Sequence, residues 1–296
     1  MQELIEPFAR LLEDLCPPSV VRAIEAGGDW RPLWQGIVDS GYLDALVPEE
    51  AGGAGLALNE AAPLVGLLGR HVVPLPVGDT MVARALLARA GTAWSDEPIA
   101  LATGASFAAT PPVAAQMLVG TPDEPRLVGA EALADPAERA PLRPLAAVLR
   151  AQQIAGAGAR VLEMSVAYAN DRVQFGKPIG RQQALQQQLA VLAEQAVAAR
   201  LAAAIGVRGG LPPAPRDAAI AKHGASLAAA EIAGIAHAIH GAIGISEEYD
   251  LQLLTRSLHA WRLADGGAGY WAAELGRERA ATPAAALDWL LAPAEV

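Results

Sequence analysis

Arg172-Val-Gln-Phe-Gly-Lys-Pro-Ile179, followed at once by Arg181-Gln-Gln-Ala-Leu-Gln-Gln-Gln-Leu-Ala190, is the stretch on which the reading of this chain turns. Its first half packs an arginine, an aromatic residue and a glycine into four positions, and its second half opens a long helix. Leu185, Leu189, Leu192, Ala196, Ala199 and Ala203 recur at spacings of three and four, one helical face, while Gln186, Gln187, Glu194 and Arg200 occupy the other. Gly209-Gly-Leu-Pro-Pro-Ala-Pro215 stops this helix, and a second runs over about 216–240. Helical patterns over 152–170 before and 249–263 after give four helices, enough for an antiparallel bundle, and a small helix over 270–280 is expected to complete the chain.

Working outward, the N-terminal part reads as helices over 2–15, 30–40, 58–70 and 77–90, with Pro17 and Pro18 stopping the first and Gly91 the last. Val47-Pro-Glu-Glu-Ala-Gly-Gly-Ala-Gly-Leu56 is too rich in glycine for a regular element and is expected to be a loop. Between 92 and 144 helical periodicity gives way to prolines and to short apolar runs over 99–102 and 116–119 that suit strands. Residues 126–128 are expected to pair with the second run across Thr121-Pro-Asp-Glu-Pro125. So small a sheet cannot bury enough surface alone and has to lean on helices. The expected architecture is mainly α: an N-terminal helical domain over 1–92, a reduced β region over 93–144, and a C-terminal four-helix bundle over 145–296.

Composition agrees. Of the 296 residues 53% are hydrophobic and 4% aromatic, which favours closely packed alanine-rich helices over an aromatic-rich sandwich. A formal charge of −10 argues against nucleic acid or an anionic membrane as partner. The longest apolar candidate for a membrane span, 225–245, is interrupted by Glu231, His237 and His240. The first fifteen residues carry four acids against one base, the opposite of a targeting peptide, so the expected location is the cytoplasm. One cysteine, Cys16, forms no internal disulfide and no thiolate metal cluster.

Generic catalytic motifs are missing. There is no Walker A sequence and no G-x-S-x-G, and Gly156-Ala-Gly158 lacks the third glycine and preceding strand of a dinucleotide fingerprint. A di-iron carboxylate bundle would need Glu-x-x-His, and no histidine here has a glutamate three residues before it. His237 and His240 are spaced to share a metal, but without a carboxylate nearby, packing explains them better. A second distinctive segment is His240-Gly-Ala-Ile-Gly-Ile-Ser-Glu-Glu-Tyr-Asp-Leu251. A glycine C-cap followed by an acidic helix start accounts for much of it. The same account does not cover the composition of 172–179.

Both segments resemble the acyl-CoA dehydrogenase family, whose C-terminal bundle carries R-x-Q-F-G-x-P-I before a helix opening with Q-A-x-Q-x-x-L-A, and later H-G-x-x-G-F. Gly41-Tyr-Leu-Asp-Ala-Leu-Val-Pro-Glu-Glu-Ala-Gly-Gly-Ala-Gly-Leu56, with Gly69-Arg70 closing the next helix, resembles the family's N-terminal domain. The likeness covers about 1–92 and 145–290. It implies FAD as cofactor, an acyl-CoA thioester as substrate, an electron-transfer acceptor and an oligomer. Carried over by position, Arg172 and Phe175 would contact the flavin of a neighbouring protomer. Gln183 would lie nearby as a polar contact, and Gly241 and Gly244 would let backbone approach the cofactor. Arginine offers a charged planar fork for phosphate oxygens, and glycine lacks the Cβ that blocks close approach.

The chain also departs from the family. The T-x-x-x-G-S-D and W-I-T stretches of the middle β-domain have no counterpart between 92 and 144, where Gly104-Ala-Ser106 and Thr110 are poor substitutes. Dehydrogenation needs a carboxylate within reach of the thioester α-carbon while the β-hydrogen leaves as hydride to the flavin. Spacing within the resemblance puts Asp265, one methylene shorter than the usual glutamate, in the place of that base. A helix C-terminal or N-cap role suits Asp265 equally. The expectation is therefore an acyl-CoA dehydrogenase-like flavoprotein acting on a coenzyme A thioester. The alternatives are a catalytically silent subunit that joins a complete dehydrogenase chain in a hetero-oligomer, or a helical scaffold that has lost flavin.

Overall fold

A computed structural model describes residues 2–103, 113–114, 116–129, 140–174 and 176–291. Phe175, Gly104-Ala-Ser106 and Thr110, singled out above, lie outside the described residues. Five helices come first: α1 (Gln2–Leu15), α2 (Pro18–Glu25), α3 (Arg31–Asp39), α4 (Leu58–Arg70) and α5 (Val77–Arg89). Three short strands follow: β1 (Ile99–Leu101), β2 (Gln116–Gly120) and β3 (Pro125–Gly129). The long helices are α6 (Arg143–Asp171), α7 (Gln183–Gly206), α8 (Pro215–His240) and α9 (Leu251–Leu263). A two-stranded hairpin, β4 (Val173–Gln174) and β5 (Lys177–Pro178), joins α6 to α7, and α10 (Ala268–Ala281) and α11 (Ala286–Leu291) close the chain.

The four long helices run up and down. Gln152 near the start of α6 donates to the carbonyl of Ala203 near the end of α7 at 2.9 Å, so these two are antiparallel. Lys222 near the start of α8 donates to the carbonyl of Arg262 at the end of α9 at 3.1 Å, so these are antiparallel as well. Leu192, Ala196, Ala199 and Ala203 are the buried residues of α7 expected from the spacing, with Leu185 and Leu189 half-buried beside them.

Three expectations needed correction. Pro17 and Pro18 end α1, but Pro18 also starts α2, because a proline at the first helical position gives up only an N–H that has no intrahelical partner. The helix expected over 152–170 begins nine residues earlier, at Arg143. Residues 145–155 are buried on every side, so no polar face marks them as helical. Among the described residues the last helix is α11, not α10; Arg216 packs over the Trp289 ring at 4.2 Å. In the sheet, β2 and β3 form the expected hairpin, Leu118 opposite Leu127, while β1 joins β2 in parallel through Leu101 and Leu118, a pairing the sequence did not suggest.

Helix α4 crosses α6 at glycines. A Cβ on Gly156 would lie 1.8 Å from the carbonyl oxygen of Gly66, and one on Gly69 would lie 2.0 Å from that of Gln153. Backbone meets backbone there, so no side chain can yield. Gly156→Ala should therefore lower stability by about 1 to 3 kcal/mol, the range for overpacking, despite alanine's better helix propensity. Urea titration of the variant checks this; a stability equal to or above wild type would show that α4 moves aside.

Not all apolar surface is buried. Val191, Val197 and Leu201 on α7 and Leu227 on α8 face outward, Leu201 at 57% exposure. By length and composition alone, α7 and the segment 215–245 could cross a bilayer, yet both pack in the bundle, with under half of each apolar window buried.

Candidate functional site

Asp265 follows α9 directly. Its backbone is left-handed, φ +58, just past the C-cap residue Ala264, a position that aspartate tolerates better than most residues. The N-cap of α10 is Gly267, so Asp265 is not an N-cap; its backbone occupies the helix C-terminal position after α9, the other role weighed above. The residue is 2% exposed and its side chain is turned inward. Thr103, just past β1, donates its hydroxyl to Oδ1 at 2.5 Å, and Arg150 on α6 donates Nε–H to Oδ2 at 3.2 Å.

Arg150 spreads across three partners. One terminal nitrogen reaches both oxygens of Asp79 on α5 at 3.1 Å, and the other reaches Oε1 of Gln153 at 2.8 Å. Burial works against the guanidinium charge, but the two carboxylates outweigh it and hold Arg150 protonated. Burial pushes the Asp79 carboxyl above its usual range, with Arg150 opposing. Lys222 on α8, fully buried, adds a second cation to the cluster. Its Nζ lies 3.1 Å from Ser226 Oγ, 3.1 Å from the carbonyl oxygen of Arg262 and 3.0 Å from that of Gly266. Burial pushes Lys222 down to about 7, opposed by the Asp265 charge.

The residues assigned to flavin gather elsewhere. Arg172 ends α6: its N–H bonds the Tyr168 carbonyl at 2.9 Å, its own carbonyl accepts from Ile179 at 2.8 Å, and its side chain is exposed. Gln183, the first residue of α7, is exposed as well. Gly241 caps α8 with φ +62 and ψ −141, a backbone only glycine adopts easily, with open space where a Cβ would point. Gly244 is different. A Cβ there would meet His240 Cβ at 3.0 Å and Leu251 Cδ2 at 3.2 Å, so its lack of a side chain already serves internal packing.

Tyr168 stacks on His240, ring centroids 4.5 Å apart, which ties the C-terminal ends of α6 and α8 together. Arg172, Gln183, Gly241 and Gly244 therefore share one end of the bundle. Arg150 and Asp265 occupy the other. The 22 residues of α6 from Arg150 to Arg172 rise about 33 Å. Such a span separates the two groups too widely for both to serve one flavin ring.

His237 Nε2 is 2.9 Å from Thr255 Oγ1, His240 Nδ1 is 2.8 Å from the Ala236 carbonyl, and no group of three or more His, Cys, Asp or Glu that could hold a metal occurs among the described residues. Asp79, Arg150, Lys222 and Thr103 escaped the sequence reading. Three of them did leave a signal. Each is the lone charge in a stretch otherwise apolar or small, Asp79 in 77–83, Arg150 in 144–151 and Lys222 in 218–222, and a charge so placed is rarely buried without a partner.

Comparison with known proteins identifies the family. The family model for the C-terminal domain of acyl-CoA dehydrogenase matches residues 145–279. Acyl-CoA dehydrogenase IpdE2 of Mycolicibacterium smegmatis is 32% identical over 292 residues, covering 86% of this chain and 91% of that protein. Its namesake from Mycobacterium tuberculosis is 33% identical over 300 residues, covering 87% and 90%. Among solved structures, the ChsE4-ChsE5 complex of Mycobacterium tuberculosis shares the fold, with a TM-score of 0.81, 24% identity and coverage of 96% of this chain and 98% of that one.

Proposed function

Because this chain belongs to the acyl-CoA dehydrogenase family, we propose that it works as the non-catalytic subunit of a hetero-oligomeric acyl-CoA dehydrogenase, lending Arg172 to a flavin whose ring lies in its partner. The observation that carries this reading is the state of Asp265. Both carboxylate oxygens are engaged, one by Thr103 and one by Arg150, and the residue is sealed from solvent. A general base must come within hydrogen-bond reach of the proton it takes, and here an arginine of the same chain holds that place.

The flavin end fits its assigned group. Arg172 is exposed with no side-chain partner among the described residues, and Gly241 leaves open space for a phosphate to approach. When bound, FAD supplies the hydride acceptor; the residues of this chain would hold its phosphates and fix the subunit boundary. The outward apolar faces of α7 and α8 supply the surface for a partner, and the ChsE4-ChsE5 complex offers a two-chain precedent in the same fold.

Purification decides between the readings. The chain alone should be colourless, and co-expression with a complete dehydrogenase chain should give a yellow complex. In that complex Asp265→Asn should leave the rate of flavin reduction by acyl-CoA unchanged within about twofold, because the group is not the base. A yellow homo-oligomer whose activity is abolished by Asp265→Asn would instead establish a self-sufficient enzyme.

A further inference from the structure

His240, the last residue of α8, is 3% exposed and has its ring, its carbonyl and its Cβ all engaged. The ring stacks on Tyr168 with centroids 4.5 Å apart and planes 26° apart, and Tyr249 closes on it at 5.2 Å. Nδ1 lies 2.8 Å from the Ala236 carbonyl, which can only accept, so Nδ1 carries the hydrogen and ties the ring to its own helix. The His240 carbonyl accepts from the Tyr168 hydroxyl at 3.4 Å, and its Cβ stands 3.0 Å from where a Cβ on Gly244 would be.

Both rings adjoin residues assigned to flavin. Tyr168 lies one helical turn before Arg172, and its carbonyl accepts the Arg172 N–H at 2.9 Å. His240 precedes Gly241 directly, and the Gly241 N–H closes on the His237 carbonyl. Arg172 and Gly241 stand on different helices, and the stack, made across 72 positions of sequence, joins those helix ends. We propose that Tyr168 and His240 are positioning residues, whose stack sets the distance between Arg172 and Gly241 so that the arginine fork and the open backbone at the glycine meet the same cofactor phosphates. The inference rests on the flavin-holding role given to Arg172 above and adds to it what fixes the two contacts relative to each other.

The device suits the task. Charge-assisted hydrogen bonds to phosphate depend steeply on distance and direction, and the groups that make them have to be held to within about 0.5 Å by what stands behind them. Flat rings with few side-chain torsions keep a stacking distance that flexible aliphatic chains do not. The Nδ1 hydrogen bond stops the imidazole from turning, and the crowded approach at Gly244 keeps the following turn against it.

Titration of the flavin-free complex with FAD, read as a double-mutant cycle with Arg172→Ala, tests this. Tyr168→Leu, which removes the ring, should weaken FAD binding by about tenfold. Tyr168→Phe, which keeps the stack, should stay within about twofold of wild type. In the Arg172→Ala background Tyr168→Leu should cost less than about twofold, because a cofactor held at one of the two points no longer senses the distance between them. An unchanged affinity in Tyr168→Leu, or the same loss with and without Arg172, overturns the positioning role and leaves the contact of Arg172 with the cofactor standing. Should Tyr168→Leu fail to fold, His240→Leu removes the other ring, and the same cycle decides by the same outcomes. An unchanged affinity in Arg172→Ala itself removes the flavin-holding role, and the positioning role with it.

Discussion

Replacing Arg150 with alanine should cost about 3 to 5 kcal/mol of unfolding free energy, because it leaves the carboxylates of Asp79 and Asp265 buried without their shared cation. Few single changes in this chain have a comparable expected effect. The cost belongs to the broken pair and not to the pair's net worth. Asp79→Asn, Arg150→Met and Asp265→Asn combined should therefore recover most of the loss, since apolar or neutral groups of similar shape often replace a buried ion pair without penalty. Urea denaturation of the single and triple variants measures both. A loss below about 1 kcal/mol for Arg150→Ala would mean that water reaches the cluster.

The second large effect is expected at the opposite end of the bundle. In the assembled flavoprotein Arg172→Ala should weaken FAD binding by about 1.5 to 3 kcal/mol, the cost of one charge-assisted contact, with the fold unchanged because the side chain is exposed. Titration of the apo-complex with FAD reads this directly. Lysine at the same position should recover only part of the loss, since an ammonium keeps the charge but not the planar fork. An affinity equal to wild type in Arg172→Ala would end the transfer of this position from the family.

The bundle was legible because its helices keep one polar face: Leu192, Ala196, Ala199 and Ala203 stand on the buried side of α7 as their spacing required. Where burial surrounds a helix the pattern vanishes, which hid residues 143–151 of α6 and with them Arg150. The candidate site was legible only in part. Motif spacing singled out Asp265, Arg172, Gln183, Gly241 and Gly244, but no local pattern says which residues meet through the fold, as Asp79 does Arg150 across 71 positions and Thr103 does Asp265 across 162. Gly244 shows the converse limit. Its glycine was explained by a cofactor, and a Cβ there would also crowd His240 and Leu251 of the chain itself.

The length of α6 has a consequence for how sequences like this one can change. Residues at its two ends share no contact and lie far beyond the roughly 7 to 10 Å within which substitutions usually interfere. Variants at Arg172 and Arg150 should then combine additively, so that drift at one end is invisible to selection acting on the other. A chain built this way can surrender its own chemistry by filling one end with charge while the other end goes on serving a neighbour, and neither change has to wait for the other.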